Sequence, residues 1–202
     1  FGRKAAEKTR TFAIGIDTDR FRPRGEARDA LRRELALGHS PTAVFVGRLH
    51  VESGFEYLVE AVRLLPEERR PMVLVVGDGA LRPTYEKEAR AKAPGAFRFL
   101  GYSDRVPEYL NAADIFVFPK VFAGGYSISL REAMATGLPS IATANVDSHD
   151  RIIQTGANGV LVPPRDAGAL SREIDRLLSD PGLRATLGSE ARRTILDRFS
   201  ME

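Results

Sequence analysis

The chain has 202 residues, 43% of them hydrophobic, which suits a globular fold with its own core. Cysteine is absent, so disulfides and cysteine-ligated metal are excluded, and no apolar run approaches the roughly 20 residues of a membrane-spanning helix. A net charge of +3 is too small to indicate a nucleic-acid partner, although residues 1–40 hold ten Lys/Arg against six Asp/Glu.

That basic surplus reads first as a solvated face on the leading helix. A surface turned to an anionic partner or membrane is the second reading. Residues 1–11 are charged and lack the apolar stretch of a signal peptide. With no cysteine present, a cytoplasmic location is expected.

Short runs rich in Val, Ile and Phe read as buried strands at Thr42–Val46, Met72–Val76, 97–100, Ile115–Phe118, Ser140–Thr143 and Val160–Val162. Amphipathic stretches lie between them. Residues 55–65 place Phe55, Leu58, Val59, Val62 and Leu65 at helical spacing. Residues 170–178 do so with Leu170, Ile174, Leu177 and Leu178, and Asp166 is the expected cap. Five of the strands run into Gly47, Gly77, Gly101, Pro119 or Pro163. The alternation predicts an α/β fold: a three-layer, Rossmann-like arrangement with a mostly parallel sheet of about six strands. No repeat or Pro-rich linker interrupts it, so 1–202 is expected to form a single domain. Such sheets bind ligands beyond the carboxyl ends of their strands, and the residues following each strand are therefore the informative ones.

The first strand is followed by Gly47-Arg48-Leu49-His50-Val51-Glu52-Ser53-Gly54. Glycine permits a tight turn, and a guanidinium can fork onto phosphate oxygens. The second is followed by Gly77-Asp78-Gly79; a dinucleotide fingerprint needs a third glycine where Arg82 stands, so a nicotinamide site is disfavoured. The third is followed by Gly101-Tyr102, an aromatic able to cover a base. After the fourth comes Gly124-Gly125-Tyr126-Ser127 and then a helix carrying Glu132 about two turns in. A glycine-rich loop opening a helix offers free amides and a positive dipole end to phosphate. A carboxylate on that helix can accept hydrogen bonds from ribose hydroxyls. Taken alone, the segment reads first as a tight turn before a helix with a surface glutamate, and second as a phosphate and ribose site.

From about Ala13 to Glu202 the order of motifs resembles the C-terminal, donor-binding domain of retaining, family 4 glycosyltransferases of the GT-B fold. The matching segments are Gly15-Ile16-Asp17 with Phe21-Arg22-Pro23, Val46-Gly47-Arg48-Leu49, Gly77-Asp78-Gly79, Phe99-Leu100-Gly101-Tyr102, Ala113-Asp114-Ile115-Phe116-Val117, Glu132-Ala133-Met134-Ala135-Thr136-Gly137-Leu138-Pro139, and Asn158-Gly159-Val160-Leu161-Val162-Pro163-Pro164. The resemblance implies that Gly47, Arg48, Tyr102, Gly125, Tyr126, Ser127, Ile128 and Glu132 bind a nucleoside-diphosphate sugar. Arg48 and the amides around Tyr126, Ser127 and Ile128 would hold the diphosphate, Glu132 the ribose, and Tyr102 would lie near the base. It implies no cofactor and no metal.

Four positions depart from the family's pattern. Its phosphate-binding Lys is Ser53, its sugar-contacting Glu is Gly124, and its leading Asn is Ile14. Its Gly-Gly-Pro-Glu-like stretch reads Val146-Asp147-Ser148-His149-Asp150-Arg151, in which His149 reads first as a loop surface residue and second as a catalytic one. Losing one of two cations beside a departing diphosphate costs on the order of a few kcal/mol in the transition state unless another group compensates. Lys120 lies in a loop from which it could do so.

The resemblance further implies partners: a nucleotide sugar, an N-terminal acceptor domain that 1–202 does not encode, a peripheral membrane contact through that other half, and no nucleic acid. The expected function is transfer of a sugar to an unspecified acceptor by the longer protein, with 1–202 alone inactive. The losses at Ser53 and Gly124 leave open a non-catalytic nucleotide-sugar-binding or partner-regulating domain. A nucleotide-sugar 2-epimerase fits residues 124–139 less well.

Overall fold

A computed structural model describes residues 15–122, 127–144 and 149–201. Six strands, β1 (Thr42–Val46), β2 (Met72–Val76), β3 (Phe97–Gly101), β4 (Ile115–Phe118), β5 (Ser140–Thr143) and β6 (Val160–Val162), form one sheet. Their order is β3-β2-β1-β4-β5-β6, and all five pairings are parallel. Every residue of β1 and β5 is buried, the reason neither strand alternates between apolar and charged residues; the only polar side chains in them are the hydroxyls of Thr42, Ser140 and Thr143.

The side chains nevertheless alternate between two cores. Ala43, Phe45, Val73 and Val75 face one, with Phe55, Leu58 and Val62 of α2 (Phe55–Leu64) and Leu170, Ile174 and Leu177 of α7 (Ala167–Ser179). Val44, Val46, Leu74 and Val76 face the other, with Leu31 of α1 (Gly25–Glu34), Leu110 of α4 (Val106–Ala112), Leu130 and Met134 of α5 (Ile128–Ala135) and Ile195 of α8 (Pro181–Phe199). Full burial of each such large side chain contributes about 1.5–3 kcal/mol. Helices α3 (Arg82–Lys92) and α6 (His149–Ile152) complete the set among the described residues. As the sequence indicates, Asp166 caps α7, accepting from the Ala169 amide at 2.8 Å.

Two basic residues of α1 depart from the solvated face expected, while Arg33 is exposed as that reading requires. Arg32 is buried, donating to the carbonyls of Gly38, Ser40 and Ala112. Arg28 donates to the carbonyls of Asn111, Ala112 and Ala113 and pairs with Asp114 at 2.7 Å. Both guanidiniums thus satisfy the open carbonyl end of α4, where cations are favoured. Asp114 also accepts from the Thr42 amide at 2.8 Å, locking the amino ends of β1 and β4 together.

The two ends of the described chain meet. Ile16 donates to the Phe199 carbonyl at 2.7 Å and accepts from Met201 at 3.1 Å, forming a parallel bridge with Ser200. Among the described residues no helix is long and apolar enough to cross a membrane.

Candidate functional site

Adjacent strands β1 and β4 lie where the strand order reverses, and such a crevice beyond their carboxyl ends is the usual ligand site of this architecture. The loops around it are interlocked. Leu49 donates to the Asp78 carbonyl at 2.9 Å, and Gly77 donates to that of Gly101 at 2.8 Å. A Cβ at Gly77, whose φ is +130°, would meet the Gly47 carbonyl oxygen at 2.0 Å. Glycine is required there to let the loop after β2 press against the loop after β1. Val121, after β4, donates to the Glu52 carbonyl at 3.0 Å.

Arg48 follows β1 and is exposed; its guanidinium has no hydrogen bond or ion pair among the described residues. An uncommitted guanidinium at a crevice can engage phosphate bidentately. Ser53 is different. It is buried, its hydroxyl donates to the His50 carbonyl at 2.6 Å, and it accepts from the Phe55 amide at 3.3 Å. Beside it the Tyr85 phenol, pushed up to about 12 chiefly by burial, donates to Glu56 at 3.1 Å. Where the family resemblance sets a cation, this chain has a turn-closing hydroxyl directed at its own backbone.

Gly124, Gly125, Tyr126 and the stretch 145–148 lie outside the described residues, as does Ile14. The residues that flank them are placed. Ser127 is the N-cap of α5, so Ile128 is its first residue and Glu132 lies just over one turn in, rather than the two turns expected. The backbone amides of Ile128, Ser129 and Leu130 have no protein acceptor among the described residues. These are the orphan donors of a helix amino end, and with the helix dipole they favour an anion. The backbone carbonyl of Lys120 accepts from the Thr143 hydroxyl, tying the loop after β4 to β5.

Glu132 is half-buried and its carboxylate accepts no hydrogen bond among the described residues. Burial raises its pKa above the usual carboxylate value, and the nearby charge of Arg20 partly offsets that. A partly desolvated carboxylate at a crevice is a ready acceptor for hydroxyl donors. Arg20 also donates to the Asp104 carbonyl at 3.2 Å, which brings the segment before α1 to the same edge. Sequence reasoning missed Arg20; its only signal was its place beside Phe21-Arg22-Pro23.

Tyr102 is 81% exposed, and its hydroxyl donates to Asp104 at 3.0 Å. Its ring therefore stands open at the carboxyl edge. Arg82, where a dinucleotide fingerprint would need glycine, pairs with Asp78 at 3.0 Å and Glu86 at 2.7 Å and covers Gly101. His149 corrects the surface assignment: it is fully buried, edge-on to Phe118, with Nδ1 at 2.8 Å from the Thr143 carbonyl and Nε2 at 2.6 Å from the Ser127 hydroxyl. Thus Gly47, Arg48, Tyr102, Ser127, Ile128 and Glu132 follow three different strands and share one edge of the sheet. The arrangement offers a cation and open amides for an anion, and a carboxylate for hydroxyls.

Comparison with known proteins gives the family and the fold. The sequence profile described as "Glycosyl transferases group 1" matches residues 40–180. The D-inositol 3-phosphate glycosyltransferase of Xylanimonas cellulosilytica is 34% identical over 194 residues, covering 88% of this chain and 45% of its own length. The sucrose-phosphate synthase of Thermosynechococcus elongatus has the same fold, with a TM-score of 0.81 at 30% identity over 95% of this chain and 49% of that one. Anabaena HepE, solved with UDP-glucose, gives 0.87 at 24% identity over 96% of this chain and 54% of HepE. The chain spans about half the length of the curated relatives it matches.

Proposed function

The chain belongs to the group 1 glycosyl transferases, and on that premise we propose that its carboxyl-edge crevice binds the nucleoside-diphosphate sugar from which a sugar is transferred. The observation that carries this is the shared placement of Arg48, the open first-turn amides of α5 and Glu132 beyond the ends of β1 and β4. Arg48 and the amides hold the diphosphate, Glu132 accepts from the ribose hydroxyls, and Tyr102 lies beside the base. HepE, which shares the fold, was solved with UDP-glucose, making uridine diphosphate the first ligand to try.

The chemistry follows from charge. The nucleoside diphosphate gains negative charge as the bond to the sugar breaks, so donors already aimed at it lower the barrier. Arg48 and the α5 amides supply them; Ser53 supplies no cation. The proposed transfer retains anomeric configuration. Its acceptor is held by parts of a longer protein beyond these 202 residues, so the chain alone is expected to bind donor and transfer nothing. Proximity of donor and acceptor supplies much of the rate.

Calorimetric titration of the chain with uridine, guanosine and adenosine diphosphates and their sugars tests the reading. Binding in the micromolar to millimolar range that Arg48→Ala weakens about tenfold to a hundredfold is the expected result. No binding to any of them at millimolar concentration would sink it.

A further inference from the structure

Serine at a helix N-cap ordinarily turns its hydroxyl oxygen onto the amide of the second or third helical residue. In α5 those residues are Ser129 and Leu130. Ser127, however, makes no capping bond to the helix. The residue is 3% exposed, and its hydroxyl lies instead at 2.6 Å from Nε2 of His149. The direction of that bond follows from the other side of the ring. The Thr143 carbonyl at Nδ1 can only accept, so Nδ1 carries the proton. In the neutral ring Nε2 is then the acceptor and Ser127 the donor. Backbone of β5 thus orients the imidazole, and the imidazole orients the serine. Phe118 packs edge-on at 5.7 Å between centroids and helps fix the ring.

We propose that His149 is a positioning residue: it holds the Ser127 hydroxyl off the amino end of α5 and keeps the first-turn amides open to the donor's phosphates. The inference rests on the proposed donor site. Without the imidazole, Ser127 is free to rotate into the capping position, where it competes with phosphate for the same amides. A merely structural histidine would weaken binding whatever stands at position 127. A positioning histidine weakens it only while a serine is there to swing.

Calorimetry of the 202-residue chain with inorganic pyrophosphate and with uridine diphosphate separates the two. His149→Leu is expected to bind pyrophosphate about fivefold more weakly, the worth of one N-cap bond. His149→Gln, whose amide oxygen can accept from Ser127, falls between wild type and His149→Leu. Adding Ser127→Ala to His149→Leu should recover most of the lost affinity. A double variant as weak as His149→Leu, or a His149→Leu chain that binds like wild type, would overturn the proposal. If His149→Leu does not fold, the imidazole nitrogen shifts of the wild-type chain decide: a neutral ring protonated at Nδ1 is expected, and one protonated at Nε2 overturns it. Wild type that binds neither ligand would instead overturn the donor reading, while the tautomer still reports whether His149 holds Ser127.

Discussion

The Cα of Gly54 faces the carbonyl oxygen of Pro119 so closely that a Cβ on it would stand 2.0 Å away. Gly54 starts α2 with a φ of +64°, in the left-handed region that side chains disfavour. One glycine therefore joins the loop after β1 to the loop after β4, the two walls of the crevice. Gly54→Ala meets both the backbone conformation and the carbonyl, and is expected to cost on the order of 3 kcal/mol. Chemical denaturation measures it. A change under about 0.5 kcal/mol, the range of ordinary surface substitutions, would mean that the loops part easily.

Arg48 is exposed and bound to nothing within the described protein, so its removal should leave stability nearly untouched. Its effect on ligand should be large: Arg48→Ala is expected to weaken pyrophosphate about tenfold to a hundredfold, the worth of one charge-assisted contact. Thermal melts and calorimetry on the same preparations test both halves. Equal pyrophosphate affinity in wild type and variant would remove Arg48 from the diphosphate site.

Ser53→Lys separates two roles of one position. The hydroxyl closes its turn through His50 and Phe55, and losing those bonds is expected to lower stability by about 1 kcal/mol. A lysine that threads out of the buried site adds a cation beside Arg48 and tightens pyrophosphate about tenfold. Unchanged affinity in a folded variant would show that position 53 does not reach the phosphates.

The sheet is legible in the sequence because most of its strands are buried on both faces, which leaves short runs dominated by apolar residues; β3, half-buried along most of its length, carries Arg98 inside its run. Five strands keep their expected bounds and β3 continues to Gly101. Two of the errors share one physical cause: partners far away along the chain. Arg28 and Arg32 look like a solvated basic face, yet they bond carbonyls 80 or more residues on. His149 looks like a loop residue among Asp147, Ser148 and Asp150, because nothing local says that Ser127, 22 residues back, will meet it. The depth of Glu132 is a local matter: the helix begins at Ile128, after its N-cap Ser127, which leaves Glu132 just over one turn in. The described residues that motif order singled out follow their strands at one edge of the sheet; the network of contacts around them needed the fold.

Glu132 offers the test in which stability and binding move in opposite directions. Burial raises its carboxyl pKa, with the Arg20 charge a smaller, opposing effect. A carboxyl raised on folding contributes stability that is fully present below its unfolded value, near 4.5, and is lost as pH rises through the folded one. At neutral pH the folded chain therefore carries a desolvated carboxylate at a cost. Glu132→Gln removes that cost, so its stability should exceed that of wild type at neutral pH, and the gap should close on acidification. Binding should respond the other way. An ionised carboxylate is the better acceptor for ribose hydroxyls, so Glu132→Gln should weaken uridine diphosphate about tenfold and pyrophosphate less. The difference in uridine diphosphate affinity between wild type and variant should itself shrink as wild-type Glu132 takes up its proton. Melting curves at several pH values, paired with titrations at the same values, read both trends. A variant less stable at neutral pH, or one that loses pyrophosphate as strongly as uridine diphosphate, would show that Glu132 serves the fold rather than the ribose.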